Sequence, residues 1–83
     1  MNTQEYVAMK SDAQLDYMDS APADDLFALV DELNAEADAL TKQGKKLVLS
    51  GDDSGAAMLK QAKKLSALAS NAYNRTMVRE GKW

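Results

Sequence analysis

The fold is decided by residues 26–47, LFALVDELNAEADALTKQGKKL. Apolar and small side chains recur there at alternating intervals of four and three, at Leu26, Val30, Leu33, Ala37, Leu40, Gly44 and Leu47. This unbroken heptad pattern predicts an amphipathic helix whose apolar seam packs against another helix. Because the phase continues through Gly44, we expect the helix to run from about residue 21 to Leu49, with Gly44 as a small seam residue.

A second heptad pattern follows after a short break. Its seam consists of Met58, Ala62, Leu65, Ala69, Ala72 and Thr76, which predicts a helix over about 54–80. The break, residues 50–55, combines glycines that end one helix with acids and a serine that cap the next. A short loop between two long helices favours an antiparallel hairpin. Folding the seams together predicts that Gly44 faces Ala62 and that Ala37 faces Ala69, so the helices approach closely.

The chain before the hairpin carries a weaker helical pattern over about 3–19. Tyr6, Met9, Ala13 and Tyr17 are spaced by three and four, while Ser11 and Gln14 match a capping box that would restart the helix near Lys10. Whether this segment forms one helix or two therefore remains open. The predicted fold class is all-α, a single domain over 1–83 with a long antiparallel hairpin and a shorter N-terminal helix folded across it.

Composition narrows the classes of function. The 83 residues include no cysteine and no histidine, which rules out a Ser-His-Asp triad, a zinc cage and disulfides. We therefore expect a protein that is not an enzyme and that binds no cofactor and no metal. We interpret the acids between Gly51 and Gly55 as helix caps, because they lack the ligand spacing of an EF-hand. The longest apolar run is the five residues 26–30, so we expect no membrane segment and a cytoplasmic location. Chains this small often add subunits, so we also expect a homo-oligomer.

The net charge of −3 conceals a strong asymmetry. Residues 1–41 hold ten acids and one base, whereas residues 42–83 hold nine bases and three acids. The hairpin gathers six lysines near its loop end: Lys42, Lys45, Lys46, Lys60, Lys63 and Lys64. Lysines at a helix C-terminus complement the dipole and keep a surface hydrated, which is one interpretation. The other is an attraction for phosphate, a nucleotide or the acids of another protein.

The third helix carries the remaining candidates. Tyr73, Arg75 and Arg79 could stack on a nucleobase and bind phosphate, but we favour Tyr73 covering an apolar edge while the arginines pair with acids across the hairpin. Trp83 would pack on the domain or anchor a partner.

Our leading hypothesis is a small non-enzymatic interaction protein, of the inhibitor or adaptor type, that docks on a protein partner. The alternatives are a helical oligomer that sequesters a nucleotide-like anion, and nucleic-acid binding through the lysines. Phage-encoded sponges for cyclic oligonucleotides resemble the predicted chain in size and hairpin architecture, although no sequence motif carries that likeness. The candidate binding residues are Lys42, Lys45, Lys46, Lys60, Lys63, Lys64, Tyr73, Arg75, Arg79 and Trp83.

Overall fold

A computed structural model describes residues 2–82 as an all-α protein. The helices are α1 (Thr3–Ala8), α2 (Ser11–Ser20), α3 (Ala23–Leu49) and α4 (Ser54–Arg79), and no strand occurs among the described residues. The long helices α3 and α4 form the antiparallel hairpin, and α1 and α2 lie across it, α1 against α3 and α2 against α4. The molecule measures 46 × 24 × 16 Å. The predicted fold class is confirmed.

The two predicted seams form the hairpin interface. The buried residues of α3 are Leu26, Leu29, Val30, Leu33, Ala37 and Gly44, and those of α4 are Gly55, Ala62, Leu65, Ala69, Ala72 and Thr76. The helix runs through Gly44 to Leu49 as expected. The Thr76 hydroxyl is fully buried and donates to the Ala72 carbonyl at 2.7 Å, which satisfies the polar group inside the seam.

The register differs from the predicted one near the loop. Gly44 packs against Gly55 and Leu59 rather than facing Ala62, so the contact lies about one turn closer to the loop. A methyl group on Gly55 would sit 2.6 Å from the Gly44 carbonyl oxygen. Two facing residues without side chains let the backbones meet there. Gly55, at the overlap of the predicted break and the predicted helix, is a buried residue of α4.

Both long helices end in the same glycine motif. Gly51 and Gly81 have φ of +81° and +71°, a region that favours glycine. The Asp52 N–H donates to the Leu47 carbonyl and the Lys82 N–H to the Met77 carbonyl, both at 2.9 Å. These hydrogen bonds close a Schellman motif after each helix and fix where the hairpin turns.

The N-terminal segment forms two helices, separated at Met9 and Lys10. The capping-box prediction is wrong in detail: Lys10 occupies the N-cap position of α2, and no side chain caps this helix. The Gln14 amide instead donates to the Tyr6 carbonyl at 2.8 Å, which ties α2 back to α1. The Thr3 hydroxyl donates to the Glu36 carboxylate and joins α1 to α3.

Side chains from α1, α2 and the turn after α2, which we call the N-terminal layer, complete the core. Tyr6, Met18 and Ala21 are buried against the end of the hairpin far from the loop, in one cluster with Leu26, Leu29 and Leu33. The Tyr6 ring meets Tyr17 edge-on, with ring centroids 6.1 Å apart. None of the helices within residues 2–82 has the length and hydropathy needed to cross a membrane.

Candidate binding surfaces

Six exposed lysines surround the loop end of the hairpin: Lys42, Lys45, Lys46, Lys60, Lys63 and Lys64. Within residues 2–82, no carboxylate oxygen lies within 4.0 Å of any of their ammonium groups. Asp38 borders the same groove as Lys63, and yet the two do not form an ion pair. The charge at this end of the molecule is therefore not neutralised by salt bridges within the described chain.

These lysines do not converge on one site. Lys42 and Lys46 each stand two residues from the buried Gly44, and two residues turn a helix by about 200°. The same spacing relates Lys60 and Lys64 to the buried Ala62. Because the two seams face each other, Lys42 and Lys46 leave the hairpin on the side opposite to Lys60 and Lys64. Lys63, one residue from Ala62, borders a groove shared with α3. The predicted single cluster is thus two separate basic faces.

The basic face of α4 combines charge with apolar surface. Lys60 and Lys63 border a surface depression of about 520 Å³ whose floor is formed by Ala56, Ala57 and Leu59. No acidic residue occurs anywhere in Ser54–Arg79. The lysines of α4 therefore lack an acidic neighbour on their own helix, and we call the surface formed by Ala56, Ala57, Leu59, Lys60, Lys63 and Lys64 the α4 basic face.

The arginines of α4 hold the N-terminal layer in place. Arg75 donates from Nε and Nη2 to the two carboxylate oxygens of Asp19, at 2.7 and 2.8 Å. Arg79 Nη1 donates to the carbonyl oxygens of Met18 and Ala21, at 2.9 and 2.7 Å, while its Nη2 pairs with Glu80. The prediction that both arginines pair with acids across the hairpin is wrong, because their partners lie in α2, in the turn after it and at Glu80, which follows α4.

The Asp19–Arg75 pair affects both charged groups. The hydrogen bond from Arg75 lowers the pKa of the Asp19 carboxyl below its usual value, and the charge of Arg75 adds to this effect. The same hydrogen bond raises the pKa of the guanidinium. Both side chains are about half exposed, so the pair acts as a surface clamp.

Tyr73 packs on an apolar edge, as we favoured. Its ring centroid lies 6.0 Å from that of Phe27, and the Lys82 ammonium lies 6.0 Å from the Phe27 ring centroid. Tyr73 and Arg75 are two residues apart and leave α4 in nearly opposite directions.

The predicted nucleotide-binding set is therefore not brought together within one chain. Lys60 and Arg75 are separated by fifteen residues, about 22 Å along the helix, and Arg75 is already bound to Asp19. Trp83, the remaining candidate, lies outside the described residues.

A groove between α2 and α4 was not signalled by any sequence motif. It has a volume of about 580 Å³, with Leu15, Leu68 and Val78 among its apolar walls and Tyr6 among its lining residues. The Tyr6 hydroxyl is buried and has no hydrogen-bond partner within the described chain, and burial raises the pKa of this phenol. Only the fold brings Tyr6 beneath α4, so the sequence pattern could not place it there.

Of the two loop acids predicted to cap α4, Asp53 occupies the N-cap position but its side chain makes no capping hydrogen bond, and Asp52 instead binds the first residue of the helix. The Asp52 carboxylate accepts from the Ser54 N–H and from the Ser54 hydroxyl, at 3.0 and 2.8 Å. These hydrogen bonds lower the pKa of Asp52. Across residues 2–82, no three acidic side chains come together in a group that could hold a metal ion.

Comparison with known proteins yields no relative: no family model, no curated protein and no solved structure matches this chain. The charges and contacts of its surfaces are therefore the basis for the functional argument.

Proposed function

We propose that this protein is a small, non-enzymatic and cytoplasmic interaction protein that docks on an acidic surface of a protein partner through the α4 basic face. The observation that carries the proposal is the uncompensated charge of this face. Lys60, Lys63 and Lys64 are exposed, their helix contains no acid, and no carboxylate within residues 2–82 pairs with them. A partner's carboxylates would supply the missing opposite charge.

The chemistry of the face favours a protein partner over a free anion. The floor formed by Ala56, Ala57 and Leu59 offers apolar contact between Lys60 and Lys63. A small anion would leave that floor uncovered, whereas an acidic amphipathic helix would cover it and meet both lysines. Nucleic acid fits less well, because residues 1–41 carry ten acids and one base and would repel a long phosphate backbone.

Affinity capture with matched variants tests the proposal. The tagged wild-type protein recovers its partner from nuclease-treated extract of the source cell. The triple variant Lys60→Glu, Lys63→Glu and Lys64→Glu is expected to lose it. The control variant Lys42→Glu, Lys45→Glu and Lys46→Glu makes the same charge change on α3 and is expected to keep it.

Two results would refute the proposal. Equal recovery by both triple variants would show that the α4 basic face is not the docking site. Recovery that nuclease abolishes would show that the partner is nucleic acid, and its affinity should then fall steeply with salt.

A further inference from the structure

The loop end of the hairpin exposes apolar side chains to water. Leu49, the last residue of α3, is 89% exposed, and its neighbour Val48 is about half exposed. Ala56 and Ala57, in the first turn of α4, are exposed as well. None of these side chains belongs to the buried core. We call the surface formed by these four residues and the turn 50–53 between them the loop tip.

The chain around the loop tip is the basic part of the molecule. Residues 42–64 carry six lysines and two acids, Asp52 and Asp53, whereas the rest of the chain carries eleven acids and four bases. No carboxylate within residues 2–82 forms an ion pair with any of the six lysines. The loop end therefore has a net charge of +4 in a chain whose net charge is −3.

The lysines flank the loop tip on both sides of the hairpin. Lys45 and Lys46 precede Leu49 by about 6 and 4.5 Å along α3, and Lys60 lies about 9 Å from the start of α4. Lys46 and Lys60 leave the hairpin on opposite sides, so a small ligand bound to one side would meet only half of this charge. A flat surface that meets the hairpin end-on is approached from both sides at once, because the long lysine side chains can bend towards it.

From this arrangement we propose that the loop tip is a membrane-docking surface, with which the hairpin stands end-on upon a bilayer that contains anionic lipid. Leu49 and Val48 enter the boundary between headgroups and acyl chains, and the lysines meet the lipid phosphates. Nucleic acid offers phosphates but no apolar phase to cover Leu49. Docking of this kind needs no membrane-spanning helix.

The charge of the whole chain sets the orientation. Asp52 and Asp53 oppose the attraction to anionic lipid, but the six lysines outnumber them three to one. The eleven acids outside residues 42–64 are repelled by the same lipid, so other parts of the surface are turned away from it. The inference is independent of the proposed function, because Leu49 and Val48 do not belong to the α4 basic face and lipid is not the protein partner.

Co-sedimentation of the purified protein with lipid vesicles tests the proposal. In 10 mM salt, where charges act over about 30 Å, the wild type should bind phosphatidylcholine vesicles that contain about 30% phosphatidylglycerol. It should not bind vesicles of pure phosphatidylcholine. Raising the salt to 1 M, where the range falls to about 3 Å, should weaken binding at least about tenfold.

Two pairs of matched variants locate the contact. Leu49→Gln should weaken vesicle binding about five- to tenfold, because it removes apolar burial, whereas Val78→Gln at an exposed position far from the loop should not. Lys46→Glu should weaken it more than about tenfold, whereas Lys82→Glu makes the same charge change after the other end of α4 and should alter it less than about twofold. Circular dichroism checks that each variant keeps its helices.

Three results would overturn the proposal. The first is a wild type that does not bind the anionic vesicles in 10 mM salt, and the second is equal binding to neutral vesicles. The third is a loss of binding in Val78→Gln or Lys82→Glu as large as in its matched variant at the loop end. Leu49→Gln should still recover the protein partner from extract through the α4 basic face, so failure of either proposal leaves the other standing.

Discussion

The glycine contact between α3 and α4 can be tested by adding one methyl group. In Gly55→Ala, the new Cβ would lie 2.6 Å from the Gly44 carbonyl oxygen and 2.8 Å from both the backbone nitrogen and Cγ2 of Val48. Two of these neighbours are backbone atoms, so the helices must separate by about 0.8 Å to restore van der Waals contact. A gap of that size forfeits about a quarter to a half of the dispersion energy of the atom pairs it opens.

The expected cost follows from this overpacking. Gly55→Ala should lower the free energy of unfolding by about 1–3 kcal/mol. That is a large share of the roughly 4–12 kcal/mol expected for a chain of this size. The melting temperature should then fall by about 5–20 °C, measured by circular dichroism or calorimetry.

Gly44→Ala is the matched comparison. Its Cβ would lie 3.0 Å from the Gly55 carbonyl oxygen, and its other close neighbours belong to the Leu59 side chain, which can move. Alanine in a helix interior also gains about 1 kcal/mol of helix propensity over glycine. This variant should therefore stay within about 1 kcal/mol of the wild type. A Gly55→Ala protein as stable as the wild type, or a Gly44→Ala protein less stable than Gly55→Ala, would refute the packing argument.

Three further predictions follow from the core and the clamp. Tyr6→Phe should raise the free energy of unfolding by about 1 kcal/mol in urea denaturation, because it removes a buried hydroxyl that has no partner; a loss of stability would mean that the hydroxyl is bonded. Ala69→Leu should lower the free energy of unfolding by about 1–3 kcal/mol, whereas Ala67→Leu, at an exposed position of α4, should change it little. Equal effects of the two substitutions would show that Ala69 does not lie in a tightly packed seam. The lowered pKa of Asp19 means that its contribution is present above about pH 4, the pKa in the unfolded chain, and is lost as pH falls through the lower folded value. The free energy of unfolding, measured from pH 6 to pH 2, should thus fall less in Asp19→Asn than in the wild type. The same pH dependence in both proteins would show that the Asp19–Arg75 pair does not stabilise the fold.

The hairpin was predictable because its seams depend on local periodicity. The helix through Gly44 and the buried positions from Ala62 to Thr76 follow from spacings of three and four. The place of Gly55 in the buried seam was not predicted, because it follows two acids and a serine that indicate a loop. It nevertheless extends the seam of α4 backwards from Ala62 and Met58 at the same spacing.

The partners of the arginines could not be predicted in the same way. Arg75 meets Asp19 across 56 residues of sequence, and Arg79 binds backbone carbonyls that every residue possesses. Such contacts depend on how the N-terminal layer crosses the hairpin, which no local pattern specifies. Counting lysines near the loop also predicted a single cluster, because only the seams show that Lys42 and Lys46 leave the hairpin on the side opposite to Lys60 and Lys64.

A measurement of lysine reactivity in the complex with the captured partner tests docking through the α4 basic face most directly. Acetylation with a succinimide ester, followed by mass spectrometry, reports how accessible each lysine remains. We expect the partner to protect Lys60, Lys63 and Lys64 several-fold, while the reactivity of Lys42 and Lys46 stays as it is in the free protein at the same concentration. Protection of Lys42 and Lys46 with no change at Lys60 and Lys63 would contradict it.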